Sequence, residues 1–281
     1  MDSLAGFVCY DEYAANALRQ RGVAVETVSW RREGVDWNRH DAVIVRSTWD
    51  YQQAPAAFLD CLARIDASTA VLLNPLATMR ANLDKRYLLE LAAAGVPTVP
   101  TLVRTGFDPA ALPAAREAFA CDELIIKPCV SANADDTYRV ADDAGPALLA
   151  ELGRRFAARD HLLQPFVPSV LAEGEVSLFH FDRRYSHAIR KQPATGDFRV
   201  QEEHGGRITP LNAERELLAA ADRVLGALSG ELLYARTDFV RHDGRWCLME
   251  AELIEPSLYF DQDPRAAGRF ADALIELLGR G

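Results

Sequence analysis

The stretch Tyr234–Leu258 constrains this 281-residue chain more than any other. Two runs rich in apolar, β-branched and aromatic residues flank His242-Asp243-Gly244, which reads as a β-hairpin. Three carboxylates punctuate it: Asp238 on the first strand, Glu250 and Glu252 on the second. Side chains alternate along a strand, so Glu250 and Glu252 share a face. Register decides whether Asp238 joins them. A two-residue Asp243-Gly244 loop pairs His242 with Arg245 and sends Asp238 to the face of Met249. A three-residue loop, or a bulge that restores the parity, puts all three acids together. Such an oxygen cluster suits a hard divalent cation, whereas scattered acids would make an ordinary solvated face.

The totals narrow the function classes. Net charge is −10, which argues against a nucleic-acid surface, because phosphate binding is driven by Lys and Arg clusters. The five cysteines (Cys9, Cys61, Cys121, Cys129, Cys247) show no Cys-x-x-Cys spacing, which disfavours a zinc site or a disulfide framework. The N-terminus lacks a basic region followed by an apolar core, and no window approaches the ~18 apolar residues of a membrane span. A soluble, cytoplasmic protein without membrane or nucleic-acid partners is expected.

Along the chain, residues 4–9 read as a buried first strand, Glu12–Gln20 as a helix ended by Gly22, and Val23–Val28 as a second strand. Ala42–Val45 is a further strand running into Arg46-Ser47-Thr48-Trp49-Asp50-Tyr51. Strands alternating with helices predict a small parallel α/β domain over residues 1–76. Ligands gather beyond the carboxyl ends of such strands, so Arg46, Thr48, Trp49, Asp50 and Tyr51 are candidate substrate contacts. A helix N-cap with aromatic packing is the alternative.

After Asn74-Pro75, the apolar spacing of Leu83, Tyr87, Leu88 and Leu91 predicts one helix from Asn82 to Ala94, with Asn82 as N-cap and Gly95 past its end. Lys85 would then oppose the helix dipole in the first turn, which favours an anionic partner. Leu124–Pro128 is an apolar strand ending near Lys127, followed by a small-residue loop, Cys129–Tyr138. A lysine there either snorkels or holds a phosphate. A helix over Pro146–Ala158, a strand from His161, an antiparallel hairpin over Glu173–Lys191, a polar glycine-punctuated loop over Gly196–Gly206 and an amphipathic helix Ala213–Leu228 complete the order.

Several of these stretches, in this order, resemble the ATP-grasp ligases, in the branch similar to bacterial glutathione synthetase. They are Asn82-Leu-Asp-Lys85 with Gly95-Val-Pro-Thr, Ile126-Lys127-Pro128, Gln164-Pro-Phe-Val-Pro, Gly174-Glu175, Gly196-Asp-Phe-Arg199, Gly205-Gly206, Arg236-Thr-Asp238, and Glu250-Ala-Glu252 with Pro256. The Arg46–Tyr51 segment also resembles a subgroup that includes the O-ureido-serine cyclo-ligase of cycloserine biosynthesis, which brings in antibiotic biosynthesis.

The resemblance implies a mixed α/β and α+β architecture. An N-terminal α/β domain would precede an ATP-grasp domain over 77–281, with a lid subdomain over 97–165 and an antiparallel-sheet subdomain over 166–281. It also implies ATP and Mg²⁺, with Mn²⁺ as an alternative ion, and a small amino-acid-like substrate whose carboxylate is activated as an acylphosphate. On this resemblance Lys85 and Lys127 contact phosphates, and Gln164, Phe166 and Val167 border the adenine. Glu175 takes the ribose hydroxyls, and Asp238, Glu250 and Glu252 hold the metal. Lys191 and Arg199 stabilise the transferring phosphoryl oxygens, because fixed cations act where charge develops. A homodimer is the family expectation.

The chain departs from the family pattern at three places. Glu252 stands where many relatives have Asn, Val130–Asp136 has no glycine, and Ser177 stands where the glutathione-synthetase pattern suggests an arginine. A catalytically silent ATP-binding regulatory module and a phosphotransferase are the competing readings. Absence of hydrolysis would mark the first. For the second, hydroxylamine would fail to trap a hydroxamate.

Overall fold

The computed structural model of the chain describes residues 1–280. Helix α1 (Asp11–Arg19) precedes β1 (Ala42–Ile44), α2 (Pro55–Asp66), β2 (Val71–Leu73), α3 (Leu76–Asn82) and α4 (Tyr87–Ala93). Then come β3 (Leu102–Thr105), α5 (Leu112–Phe119), β4 (Leu124–Pro128), β5 (Tyr138–Val140), α6 (Pro146–Arg155), β6 (Asp160–Pro165) and α7 (Ser169–Ala172). The remainder is β7 (Glu175–Phe181), β8 (Arg184–Gln192), β9 (Arg207–Leu211), α8 (Arg215–Ala227), β10 (Tyr234–His242), β11 (Arg245–Glu252) and α9 (Ala266–Leu278). The strands form three sheets: a parallel pair β1-β2, a four-stranded sheet in the order β3-β6-β4-β5, and a five-stranded sheet in the order β11-β10-β7-β8-β9.

Strand alternation builds the two larger sheets so that each has one face committed to helices. In the four-stranded sheet, Leu124, Ile126, Val140 and Leu163 pack with Leu112 of α5, Leu152 of α6 and Phe156 just past it. The alternate residues Ile125, Lys127 and Gln164 face a cleft. In the five-stranded sheet, Val176, Leu178, Ala188, Phe239 and Leu248 pack against Leu217, Ala221 and Val224 of α8. Its other face is divided. Phe179, Phe181, Ile189 and Tyr234 lie under α9, while Glu175, Lys191, Asp238, Glu250 and Glu252 reach the cleft. Helix α9 covers only one end of that face, so the other end carries charge.

Three expectations about elements are corrected. Residues 4–9 form no strand: Phe7 N–H bonds to Leu4 O in a turn at Gly6, and Leu4 and Val8 are exposed. Val23–Val28 joins no ladder either; Val23 and Val25 pack, partly buried, against the core that includes α1 and α9. Short apolar runs can bury side chains on helices without backbone pairing, a distinction periodicity does not carry. The helix expected over Asn82–Ala94 is two helices. Asn82 ends α3, and its amide is taken by Ala251 O (2.8 Å) in β11 and Leu253 N–H (2.9 Å) just past it. Lys85 therefore sits in the turn between α3 and α4, its N–H bonded to Cys129 O at 2.8 Å.

The N-terminal segment is stitched to the large sheet by buried polar groups. Asn74 is fully buried, donates to Tyr234 O (2.9 Å) and Leu253 O (2.8 Å), and accepts from Leu233 N–H (2.8 Å). Tyr234 Oη donates toward Val45 O and Ile254 O at 2.8 and 2.7 Å. A buried polar group stabilises only when satisfied, so these bonds fix how the segment seats.

Candidate active site

The hairpin β10–β11 combines features of both registers considered. Its loop has two residues, with His242 opposite Arg245 and with Asp243 and Gly244 at φ 51° and 74°, the left-handed pair of a tight hairpin turn. Between Asp238 and Phe239 the register shifts, so Phe239 pairs with Leu248 and Asp238 with Glu250. Met249 is the extra residue. The bulge restores the parity, and Arg236, Asp238, Glu250 and Glu252 share one face.

These side chains interlock with cations from neighbouring elements. Lys191 Nζ bonds Glu175 and lies 3.4 Å from Asp238 Oδ2. Arg236 bridges Asp238 (3.0 Å) and Glu252. Lys85 pairs with Glu250 at 2.6 Å and donates to Ser131 O at 2.8 Å. Ser177, the residue that departs from the glutathione-synthetase pattern, donates to Asp238 Oδ1 at 2.6 Å. Among the described residues no three His, Cys, Asp or Glu side chains stand as a ready metal group. Asp238, Glu250 and Glu252 share one face, where Arg236, Lys191 and Lys85 hold them.

Charge and burial set the protonation of this face. Burial alone would raise Asp238, yet Arg236 and Lys191 hold it down at about 2. Burial opposes Glu250 in the same way, and Lys85 and Lys127 keep its pKa below the ordinary value. Burial raises Glu175 above the usual range against the pull of Lys191. Glu252 is pushed up to about 7, because burial with Asp238 and Glu250 nearby outweighs Arg236. Burial lowers Lys127, with Lys85 adding to the effect. For Lys85 burial is outweighed by Glu250, Glu252 and Glu255, and its pKa rises. Lys127 is buried and has no ion-pair partner among the described residues. A desolvated cation without a counter-charge, lining a cleft, is a seat for an anion.

The cleft encloses about 1520 Å³, open solvent at its mouth included, and gathers Lys85, Lys127, Gln164, Phe166, Val167, Glu175, Lys191, Arg199, Asp238, Glu250 and Glu252. Gln164 donates to Thr101 Oγ1 at 2.9 Å, and Arg139 stacks 3.8 Å over the Phe166 ring. Arg199 lies at the rim, held by Asp197 at 2.7 Å. Its loop is closed at Gly206, where a Cβ would come within 2.0 Å of Val200 O. The loop after β4 turns without glycine, placing Asn133, Ala134 and Asp136 at φ 54°, 56° and 51°.

The Arg46–Tyr51 segment divides. Trp49 and Tyr51 line the cleft, whereas Arg46, Thr48 and Asp50 do not. Arg46 bonds Asp11 (3.0 Å) and Pro256 O (2.6 Å) and lies over the face of Tyr234, while its buried Nη1 has no partner among the described residues. Asp50 accepts from Trp30 Nε1 (2.8 Å) and Arg31 (2.7 Å). Thr48 is buried. Of the five expected substrate contacts, Trp49 and Tyr51 are the two the fold brings to the cleft. The cleft also contains groups not singled out from sequence: Arg236, Glu255, Glu202, Glu203, Ser257 and Tyr259. Arg236 stood in a quoted motif and alternates with Asp238, which was the available signal. Glu255 lies beyond the strand end, where alternation no longer assigns a face.

Residues 2–74 match the family model for the N-terminal domain of the D-cycloserine synthetase DcsG. The chain is 37% identical over 279 residues to the cycloserine biosynthesis protein DcsG of Streptomyces lavendulae, covering 93% of this chain and 91% of that protein. It superposes on the crystal structure of D-cycloserine synthetase DcsG with a TM-score of 0.83 at 34% identity, over 95% of this chain and 94% of the other. The ATP-grasp ligase PsnB with its minimal precursor (TM-score 0.66, 18% identity, 95% and 94% covered) shares the fold. So does D-alanine–D-alanine ligase from Bacillus anthracis (TM-score 0.68, 14% identity, 96% and 92% covered). By sequence and by structure over nearly its whole length, this chain belongs to the DcsG family of ATP-grasp ligases, enzymes that form a C–N bond.

Proposed function

We propose that the chain is an ATP- and Mg²⁺-dependent cyclo-ligase that activates the carboxylate of a small amino acid of the O-ureido-serine type and closes it on a nitrogen of the same molecule. The observation that carries this reading is the lining of the cleft. Unpaired Lys127, paired Lys85 and Lys191, and a face of carboxylates converge from two different sheets on one space. Phosphoryl transfer requires positioning and charge neutralisation, which that lining supplies.

In this reading Lys127 and Lys85 hold the phosphates of ATP, and the adenine lies along Gln164–Val167. The Val167 N–H, without an acceptor among the described residues, faces the base edge. Glu175 takes the ribose hydroxyls. Asp238, Glu250 and Glu252 fit Mg²⁺, or Mn²⁺, as hard oxygen donors on one face. Seating the ion requires Arg236 to release one of its two carboxylates. When bound, the metal supplies charge neutralisation at the phosphates.

A substrate carboxylate oxygen attacks the γ-phosphorus, the bond to ADP breaks, and Lys191 with Arg199 receives the charge on the transferring oxygens. The nitrogen then attacks the acylphosphate carbon, phosphate leaves, and the nitrogen loses one proton. Trp49 and Tyr51 wall the substrate end and exclude water from the acylphosphate.

Incubation with ATP, Mg²⁺ and O-ureido-serine should release ADP and phosphate and yield a cyclic product. Added hydroxylamine should divert the intermediate to a hydroxamate. Tight ATP binding with no turnover across an amino-acid panel would instead support a silent regulatory module, and phosphoryl release without hydroxamate a phosphotransferase.

A further inference from the structure

The carboxylates that line the cleft differ in what neutralises them. Glu175, Asp238, Glu250 and Glu252 each touch a lysine or arginine. Glu202 accepts from Tyr10 Oη at 3.1 Å. Glu255 is 7% exposed and lines the same space, and among the described residues its carboxylate has no ion pair and no hydrogen bond. Its backbone is fixed: Glu255 O accepts from the buried Trp49 Nε1 at 2.9 Å, and the next carbonyl, Pro256 O, accepts from Arg46 at 2.6 Å. The Arg46–Tyr51 segment therefore grips the chain at Glu255–Pro256 and holds one carboxylate toward the cleft. A buried carboxylate without a partner is costly unless a cation arrives. Burial and the neighbouring Glu252 push its pKa up to about 8, in keeping with a missing counter-charge.

We propose that Glu255 is the seat for the α-ammonium group of the amino-acid substrate, with Trp49 and Tyr51 as the aromatic wall of that subsite. The inference rests on the ligase reading and adds a specificity residue to it. An ammonium brings the charge and the three donors that Glu255 lacks. The Arg46 and Trp49 bonds make the geometry rigid. The resemblance of the segment to substrate-binding ligases is then explained without direct contact by Arg46.

The test compares wild type with Glu255→Gln and Glu255→Asp, using O-ureido-serine and 3-(ureidooxy)propanoic acid, which has hydrogen in place of the amino group. Wild type should prefer the amino compound by about 30-fold in kcat/KM, the worth of one charge-assisted hydrogen bond. Glu255→Gln should lose most of that preference, raise KM for the amino compound, and leave ATP affinity within about twofold. Glu255→Asp should recover part of the preference. Preference retained in Glu255→Gln overturns the proposal, as does a loss of ATP or Mg²⁺ affinity, which would place Glu255 among the metal groups. If wild type binds ATP but turns over neither compound, the ligase reading falls. Calorimetric titration of both compounds into the ATP-loaded proteins then still reads whether Glu255 recognises the ammonium.

Discussion

Asp238 stands opposite Glu250 because Met249 is bulged out of the β11 ladder. In an unbulged two-residue hairpin, Glu250 and Glu252 would turn to the face opposite Asp238, and their contacts with Lys85 and Arg236 would be lost. Ser177, Arg236 and Lys191 hold Asp238 ionised in a site where burial alone would protonate it.

Asp238→Asn should therefore lower kcat by about 100-fold or more and raise the Mg²⁺ half-saturation by about tenfold, the scale of a lost ligand or transition-state charge contact. Arg236 keeps Glu252 and Lys191 keeps Glu175, so the fold should survive. Steady-state kinetics across a Mg²⁺ series and a thermal melt check both parts. An unchanged metal dependence would remove Asp238 from the metal set.

Lys127→Met separates function from stability. Lys127 is buried without an ion pair among the described residues, so removing its charge should leave the melting temperature unchanged or a few degrees higher. ATP affinity should fall by about tenfold or more, because the phosphates lose a desolvated cation. Calorimetry with a non-hydrolysable ATP analogue measures the loss. Affinity equal to wild type would leave Lys127 as a snorkelling residue.

Arg46→Ala tests whether the segment after β1 is scaffold or contact. Its bonds to Asp11 and Pro256 O are partly buried, and their loss should cost about 2 kcal/mol of stability. KM for ATP should not move. Any rise in KM for the amino acid should be matched by Trp49→Phe, which removes the other bond to the Glu255 region. A large KM effect without destabilisation would restore direct substrate contact by Arg46.

Stability should fall in acid through two buried histidines remote from the cleft. His180, with neither ring nitrogen bonded, and His187 are both lowered from 6.5 to about 4, in each case mainly by burial. Below pH 6.5 the unfolded chain takes up these protons first, so stability is complete above that pH and declines as pH falls toward 4. The decline should be on the order of 3 kcal/mol per ring. His180→Phe should flatten the acid limb of a denaturation series; an identical limb would assign it to other groups.

Much was legible in the residues because it depends on local pattern. The alternation in Glu175–Phe181 and Tyr234–Glu252, the amphipathic Arg215–Ala227 and the Asp243-Gly244 turn are encoded within a few neighbours. The ordered motifs likewise fall on residues that line the cleft, from Lys85 to Glu252. Where the local pattern failed, a distant partner decided. Asn82 left its expected helix start because β11 takes its amide. Val23 and Val25 found helices in place of a ladder.

What the sequence by itself determined is the set of chemical groups and the faces they share within one strand. Only the tertiary structure decided which faces meet. The Met249 bulge is a parity choice, set by where the hairpin must pack and not by its composition. Arg46 and Asp50 went to internal partners because residues remote in sequence reach them first. Among the described residues Glu255 has no counter-ion, because the chain past β11 is held by Trp49 and Arg46 from the N-terminal segment. Charge balance in a buried cleft is a sum over neighbours from every packed element, and no single stretch of chain contains it.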